Sequence, residues 1–442
     1  MNTRAQHSPP SLESRLREAG IGLALLCALT MIAAGPARAQ TLTVLHNFGF
    51  GADGAFPFAG LTMDGAGNFY GTTADGGQPV LYYCLYGCGT VFKLTRAHSG
   101  WVLTPVYQFT GGDDGTTPEA RVVFGPNGLL YGTTTGTSVF GGTGKATVFS
   151  LRLPTTPCTT AVCPGQETVL YRFTGSMDGS GPGWGDLAFD QAGNIYGATS
   201  DGGSYGHGSV YELTPSNGSW TETILYSFTG GEDGSQPKSG VILDQAGNLY
   251  GTTLYGGADA QGTVFQLTHS DSGWIEKVLH SFGSSGSGPY GGLIFDQAGK
   301  LYGTTQTENM GHGNGTVFML SPLGDEWTLT TLYSFPSGFT YPYARLTMDA
   351  AGNLYGTTSY FFGFASNLGG QGGEGSVFKL AFSNGSWTYV DLHEFTGRNG
   401  DGAGPFGGVA VDANGNLYGT TTSGGGVLYC SGGCGTVWEI TP

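Results

Sequence analysis

Two histidines in this 442-residue sequence are candidates for catalytic residues. His207 and His312 lie in the glycine-rich segments YGHGSVY and GHGNGTVF, and Glu308 precedes the second. A histidine acting as general base beside a metal ion would suit a lyase or a lactonase. Apart from Glu308, no glutamate or further histidine recurs beside them, so the alternative of solvated loop histidines stays open.

Acidic residues recur in five further glycine-rich segments. A ring of carboxylates with exposed backbone carbonyls would suit Ca²⁺, which prefers oxygen ligands. The alternative is an Asp-Gly turn, in which the carboxylate bonds nearby backbone amides and needs no metal. The residues concerned are Asp53, Asp113, Asp114, Asp178, Glu232, Asp233 and Asp401.

Six cysteines follow residue 40 and form three local pairs, Cys84/Cys88, Cys158/Cys163 and Cys430/Cys434. In an exported protein, such pairs favour three local disulfides. The first and third pairs occupy equivalent loops of the first and last repeats described below. A zinc site with four thiolates across those two loops is the alternative.

Aromatic residues cluster in the segment SYFFGFASNLGGQGGEG, residues 359–375. Tyr360, Phe361, Phe362 and Phe364 stand where the other repeats have glycine and polar residues. An exposed aromatic cluster is typical of a contact site for sugar rings or for a protein partner. Local packing against the edge of the same repeat is the alternative.

These residues must be positioned by a repeat of about fifty residues. Its most regular phrase resembles NLYGTT, and its tyrosine recurs at Tyr70, Tyr131, Tyr196, Tyr250, Tyr302, Tyr355 and Tyr418. In the copy at 238–282, four apolar phrases at 240–244, 249–253, 262–268 and 274–282 are separated by Gly, Asn, Asp and Ser. This pattern predicts four short antiparallel strands joined by tight turns.

Seven such sheets bury both faces if they are arranged radially, and we therefore predict an all-β, seven-bladed β-propeller of four-stranded antiparallel blades. Residues 41–48 match the fourth phrase and 435–440 match the third, so the N-terminal strand is expected to complete the last blade. Residues at repeat-equivalent positions are expected to be structural. These are the tryptophans Trp101, Trp220, Trp274, Trp327 and Trp387, the histidines His46, His280 and His393, and the turn residues Asp190, Asp244, Asp349 and Asp412.

Residues 1–39 are predicted to be a signal peptide, and residues 40–442 a single propeller domain. Arginines precede an apolar run from Ile21 to Ala34, and Ala37-Arg38-Ala39 would suit cleavage. The remainder would carry 12 basic and 30 acidic residues. This charge argues against nucleic acid and anionic lipid as partners. We expect an extracellular or periplasmic monomer with no transmembrane segment after signal removal.

The phrases GNLYGTT (247–253) and QGTVFQLT (261–268), and again GNLYGTT (415–421) with CGTVWEIT (434–441), resemble the GloVer tandem-repeat proteins of bacterial secretomes. The resemblance spans the chain after residue 40. It implies a propeller and export, and it implies no activity or catalytic residues. The strand phrasing is also similar, more weakly, to that of NHL-type and lyase or lactonase propellers.

From these observations we expect a non-catalytic binding or scaffold module that contacts its ligand through the face carrying the variable loops. A carbohydrate, an envelope polymer or a protein would be the partner. A metal-assisted lyase or lactonase on the same face is the alternative function. A structural surface protein whose repeats engage an envelope polymer is a third.

Overall fold

Each copy of the repeat forms a four-stranded antiparallel sheet in the computed structural model. The structure describes residues 40–80, 84–137, 143–154, 165–182, 184–284, 286–307, 315–336, 340–360, 374–398, 400–426, 430 and 432–441. The described residues contain no helix, and hence no helix that could cross a membrane. Residues Leu42–Thr441 form one compact unit.

Strands are numbered along the chain, and blades one to six each take four consecutive strands from the axis outward. Blade one consists of β2 (Thr62–Met63), β3 (Phe69–Thr73), β4 (Thr90–Ala97) and β5 (Gly100–Gln108), and blade two of β6 (Val123–Phe124), β7 (Leu130–Thr137), β8 (Thr143–Arg152) and β9 (Gln166–Arg172). Blade three consists of β10 (Ala188–Phe189), β11 (Ile195–Thr199), β12 (Ser209–Ser216) and β13 (Ser219–Ser227), and blade four of β14 (Ile242–Leu243), β15 (Leu249–Thr253), β16 (Thr263–Ser270) and β17 (Gly273–Ser281). Blade five consists of β18 (Ile294–Phe295), β19 (Leu301–Thr305), β20 (Thr316–Leu323) and β21 (Glu326–Ser334), and blade six of β23 (Thr347–Met348), β24 (Leu354–Tyr360), β25 (Ser376–Ser383) and β26 (Ser386–Glu394).

The last blade is built from both ends of the described chain, as predicted. Its strands, in order, are β28 (Ala410–Val411), β29 (Leu417–Thr421), β31 (Thr436–Thr441) and β1 (Thr41–Asn47). Beyond the strand, the Phe48 amide donates to the carbonyl of Gly435 at 3.0 Å. Two short strands, β22 (Thr340–Tyr341) and β27 (Gly402–Ala403), pair with β24 and with β30 (Ser423–Gly424). The closed seven-bladed propeller is confirmed.

The hydrophobic core lies between neighbouring blades and consists of seven clusters, one at each junction. Between blades four and five, for example, Tyr250 and Val264 contact Leu301 and Phe318. The five tryptophans at the start of the outer strands each pack, partly buried, against one of these clusters. Their predicted structural role is confirmed.

The repeated phrase LYGTT is the most deeply buried part of each blade, as β15 shows with all five of its residues buried. A Cβ on Gly251 would lie 2.5 Å from the Phe265 ring of the next strand, which excludes a larger residue there. The Thr253 hydroxyl lies 2.9 Å from that of Thr263, and an equivalent hydroxyl pair occurs in all seven blades. Sequence repetition therefore reflects one packing solution used seven times.

The turn between the first two strands is held by an aspartate, as predicted. In blade four, Asp244 accepts hydrogen bonds from the backbone amides of Ala246 and Asn248, at 2.8 and 2.9 Å. It also accepts one from the Tyr250 hydroxyl at 3.1 Å. Asp190, Asp349 and Asp412 make equivalent bonds.

Candidate functional site

The two kinds of variable loop lie together on one face of the propeller, which we call the variable-loop face. One kind enters each blade, and the other joins its second and third strands. Residues of the two pair directly, for example Ala55 with Asp75 and Ser235 with Tyr255. The sequence-based expectation that these loops share a face is therefore correct.

The acidic residues of the entry loops make local hydrogen bonds. Asp178 accepts from the amide and hydroxyl of Thr174, at 2.7 and 2.6 Å, and from the Tyr171 hydroxyl at 3.2 Å. Burial disfavours the ionised form, but these bonds outweigh it and lower the pKa of Asp178. Asp114 and Asp233 repeat this arrangement.

In two of the three blades whose outer strand carries histidine instead of tyrosine, the histidine faces the equivalent carboxylate. His46 Nε2 lies 3.1 Å from Asp53, and His393 Nε2 lies 3.4 Å from Asp401. Asp113 instead bonds Lys145 at the exposed surface. The described residues contain no group of three His, Cys, Asp or Glu side chains able to hold a metal ion. The calcium prediction thus has no cluster of ligands among them.

The other predicted site residues are only partly described. His207 is exposed, and its Nδ1 lies 3.3 Å from the Ser235 hydroxyl of the next entry loop. His312 and Glu308 lie outside the described residues, as do Phe361, Phe362 and Phe364. The backbone of Tyr360 ends β24, but its side chain is also outside them. The two proposed sites that depend on these residues stay predictions.

Two of the three predicted disulfides are present. Cys84 bonds Cys88 and Cys430 bonds Cys434, with Cα–Cα distances of 5.3 and 5.2 Å. Both lie buried in equivalent loops of blades one and seven, and their sulfurs are paired rather than free for zinc. Cys158 and Cys163 lie outside the described residues.

A cavity of about 620 Å³ lies at the propeller axis, where the segments leading into the first strands of all seven blades meet. Two repeat positions contribute its functional side chains. The outer position lies four residues before the innermost strand of each blade begins, and we call the residues there the outer ring: Phe58, Glu119, Trp184, Lys238, Tyr290, Tyr343 and Phe406. Two residues further along are Gly60, Arg121, Asp186, Gly240, Gly292, Arg345 and Gly408, the inner ring.

Five aromatic side chains of the outer ring form a closed circuit of contacts. Trp184 contacts Phe58 and Tyr290, with ring centroids 6.0 and 5.8 Å apart. Tyr343 completes the circuit by contacting Tyr290 at 5.3 Å and Phe406 at 5.2 Å, and Phe406 contacts Phe58 at 5.7 Å. All five line the cavity. The cavity therefore has an aromatic wall contributed by blades one, three, five, six and seven.

Glu119 and Lys238 take the two remaining outer positions, in the blades on either side of Trp184. Glu119 lines the cavity and is only 7% exposed. Burial raises its pKa to about 8, the charge of Asp75 adds to this, and Lys238 acts in the opposite direction. Burial also lowers the pKa of Lys238, against the charges of Asp201 and Glu119. At neutral pH, Glu119 is therefore mainly an uncharged acid.

Three charged residues form an ion-paired group in the inner ring. Arg121 donates from Nη2 to Asp186 Oδ2 at 2.5 Å, and Arg345 donates from Nη1 to the same oxygen at 3.1 Å. Arg345 belongs to blade six and Asp186 to blade three, so this second bond crosses the axis. Burial disfavours the Asp186 carboxylate, but the charges of the two arginines outweigh this and lower its pKa.

A family model described as the Gloeobacter/Verrucomicrobia repeat matches residues 141–367, just over half of the chain. The chain belongs to the Gloeobacter/Verrucomicrobia repeat family. The resemblance to a tandem-repeat family, inferred above from the repeated phrases, is thereby confirmed. None of the curated protein sequences matches this chain.

Several solved structures resemble this Gloeobacter/Verrucomicrobia repeat protein at low identity. A putative 6-phosphogluconolactonase from Bacteroides uniformis is 13% identical, with a TM-score of 0.47 over 76% of this chain and 84% of that one. A gluconolactonase from Xanthomonas campestris is 14% identical, with a TM-score of 0.38 over 71% and 82%. PorZ of Porphyromonas gingivalis is 12% identical, with a TM-score of 0.46 over 86% and 46%. These similarities are too low to bear on activity.

The axial residues of this Gloeobacter/Verrucomicrobia repeat protein were not singled out from its sequence. Their signal is the residue after a proline that enters most blades, as in Pro57-Phe58, Pro118-Glu119 and Pro289-Tyr290. That position varies among aromatic, acidic and basic residues, while the glycines and leucines around it repeat. This one variable position within an otherwise constant phrase, and not the variable loops, is the sequence feature that indicates a site at the axis.

Proposed function

We propose that this protein is a non-catalytic binding module that takes a carbohydrate into its axial cavity. The observation that supports this best is the closed circuit of five aromatic side chains lining a cavity of about 620 Å³. The volume lies within the usual range for small-molecule sites. Aromatic rings pack well against the C–H faces of pyranose rings, and polar groups among them can meet the sugar hydroxyls.

The hydroxyl and acid groups of the outer ring provide this polar complement. Tyr290 and Tyr343 carry phenol groups, and burial raises the pKa of both so that they remain uncharged donors. Glu119, protonated at neutral pH, is a further donor. Asp186 is held by two arginines and stays ionised, which makes it a poor general base. The arrangement supports recognition rather than proton transfer.

The test is isothermal titration calorimetry of residues 40–442 against a panel of neutral and acidic oligosaccharides. The variants Trp184→Ala and Tyr290→Ala should each weaken binding at least about tenfold, because each removes one of the five aromatic rings that line the cavity. Tyr205→Ala is the matched control, since Tyr205 is an exposed loop aromatic on the variable-loop face and is outside the cavity. Unchanged binding in both axial variants would refute the axial site.

The same titrations decide between the axial site and the aromatic segment 359–375. We propose that Tyr360, Phe361, Phe362 and Phe364 provide a second contact for a long glycan or an envelope polymer. Phe362→Ala should then weaken binding of long oligosaccharides and leave binding of short ones unchanged. If Phe362→Ala abolishes all binding while Trp184→Ala has no effect, the segment is the binding site and the axis is not.

Metal-assisted lactone hydrolysis is the competing function, and it predicts a different result. Activity towards lactones would require added divalent metal and would be lost in His207→Ala or His312→Ala. Metal-dependent turnover with that mutational pattern would replace the binding proposal.

We also propose that the protein is exported and works as a monomer. The two disulfides are consistent with an oxidising compartment. Mass spectrometry of the protein from bacterial cell fractions should show an N-terminus at Gln40. Retention of residues 1–39 in the cytoplasm would contradict the proposed signal peptide.

A further inference from the structure

The charges around the axial cavity do not balance. Four ionisable acidic or basic side chains line it, namely Glu119, Arg121, Asp186 and Arg345. Because the pKa of Glu119 is raised to about 8, the lining carries two positive charges and one negative charge at neutral pH. The chain as a whole has a formal net charge of −16. A positively charged cavity in an otherwise acidic protein attracts anions.

The hydrogen bonds of the inner ring are also incomplete. Asp186 Oδ2 accepts from both arginines, and its Oδ1 accepts from Arg121 Nε at 3.3 Å. Arg345 uses only Nη1 for this contact, and its Nε is buried with no hydrogen-bond partner within the described part of the chain. Leaving a buried donor of a charged group unpaired is costly. The Nε edge of a guanidinium matches the two oxygens of a carboxylate.

We propose that the axial site selects carbohydrates that carry a carboxylate, that is, uronic acids, and that Arg345 binds this carboxylate. The assignment rests on the proposed carbohydrate-binding function. One bound carboxylate neutralises the excess positive charge of the inner ring and provides a partner for Arg345 Nε. The aromatic circuit contacts the face of the same sugar, so ring stacking and ion pairing act on one ligand.

The test compares trigalacturonate with its fully methyl-esterified form, since the two share a sugar backbone and differ in charge. Calorimetry at pH 6.5 should show at least about tenfold tighter binding of the acid, as expected for hydrogen bonds to a charged group. Arg345→Gln should bring the two affinities within about threefold of each other. Arg345→Lys, which keeps the charge but loses the planar Nε edge, should retain only part of the preference.

Two controls separate the role of Arg345 from general damage. Arg96→Gln removes an arginine that lies against Trp101 on an outer strand, and it should leave the acid preference unchanged. Thermal unfolding of each variant without ligand checks that the propeller is intact. If Arg345→Gln is unstable, the graded result from Arg345→Lys still decides the question.

The possible outcomes test uronate selection separately from carbohydrate binding. Equal binding of acid and ester by the unmodified protein, or an undiminished acid preference in Arg345→Gln, refutes uronate selection and leaves the carbohydrate-binding proposal standing. Binding of neither trisaccharide refutes uronate selection as well, and the neutral members of the oligosaccharide panel then decide the proposed function separately. Loss of the acid preference in Arg345→Gln, with weaker binding of both sugars in Trp184→Ala, supports both.

Discussion

Glu222 on the outer strand of blade three should destabilise the folded protein above neutral pH. It lies across β12 and β13 from the fully buried Leu213, at a position where blades one and five carry Leu103 and Leu329. Its Oε1 is buried without a partner among the described residues. Burial and, secondarily, the charge of Asp178 raise its pKa to about 7.

The size of this destabilisation follows from the raised pKa of Glu222. The folded state holds the proton more tightly than the unfolded chain, where the pKa is 4.5, so stability falls as pH rises from about 4.5 to about 7. The full difference would correspond to at most about 3.4 kcal/mol. Because the side chain is partly exposed, we expect solvent to reduce the effect to about 1–2 kcal/mol. Glu167 and Glu276 occupy the same position in blades two and four, with pKa values raised to about 7 by burial first.

The assay is urea denaturation of Glu222→Leu and Glu222→Gln at pH 4 and pH 8. Both variants should gain about 1–2 kcal/mol more relative to the parent at pH 8 than at pH 4, because the penalty exists only when the carboxylate is ionised. Leucine should add a gain that is independent of pH, since it restores the apolar contact of the other blades. Glu232→Leu is the control variant, since it removes a carboxylate at an exposed loop position.

An identical stability difference between Glu222→Gln and the parent at both pH values would refute a destabilising ionised Glu222. A larger gain at pH 4 than at pH 8 would show that the sign is wrong. The triple variant of Glu167, Glu222 and Glu276 offers a further check. The three residues lie at separate blade junctions, so their effects should add.

Three further predictions concern closure, the loops and the axis. Deleting residues 40–50 should abolish cooperative thermal unfolding, because it removes the outermost strand of blade seven, and a deletion protein that melts like the parent would contradict closure. Asp178→Ala should cost about 2 kcal/mol in urea denaturation through loss of its loop hydrogen bonds, and a loss below about 0.5 kcal/mol would assign those bonds no stabilising role. Trigalacturonate affinity should fall as pH rises through about 8, where Glu119 ionises, and Glu119→Gln should remove this fall; an unchanged pH profile would separate Glu119 from the site.

The sequence was sufficient to predict the blades because the strand phrases and the turn residues between them all indicate the same fold. In blade four, the phrases at 249–253 and 262–268 correspond closely to β15 and β16. The first phrase, 240–244, forms a strand only at Ile242–Leu243. Gly240 instead packs against the backbone of the neighbouring blade, where a Cβ would lie 2.0 Å from the Asp186 carbonyl oxygen. This crowding arises from three-dimensional closure and is invisible within one repeat.

The axial site could not be predicted in the same way. Asp186 and Arg345 are separated by 159 residues, and only ring closure brings them within hydrogen-bond distance. The inner strands carry the constant phrases of the repeat, which indicate framework, whereas the loops vary and indicate function. Among the loop residues, Asp178 was considered as a calcium ligand with a turn role as the alternative, and it bonds Thr174 within its own loop. The disulfide of Cys84 with Cys88 was predicted correctly because it depends on a contact close in sequence.

The pairing of β1 with β31 has a consequence for the order of assembly. A ribosome makes residues 41–47 long before residues 436–441, yet these segments share one sheet. Until the later segment emerges, the earlier strand has no native partner, and six complete blades form an arc whose two end sheets each expose an apolar face. An unpaired strand and exposed apolar faces both favour association with other chains. Relocating the break in the covalent chain to a loop between two blades, by circular permutation, would make every blade from contiguous sequence and shorten the period during which that strand is unpaired.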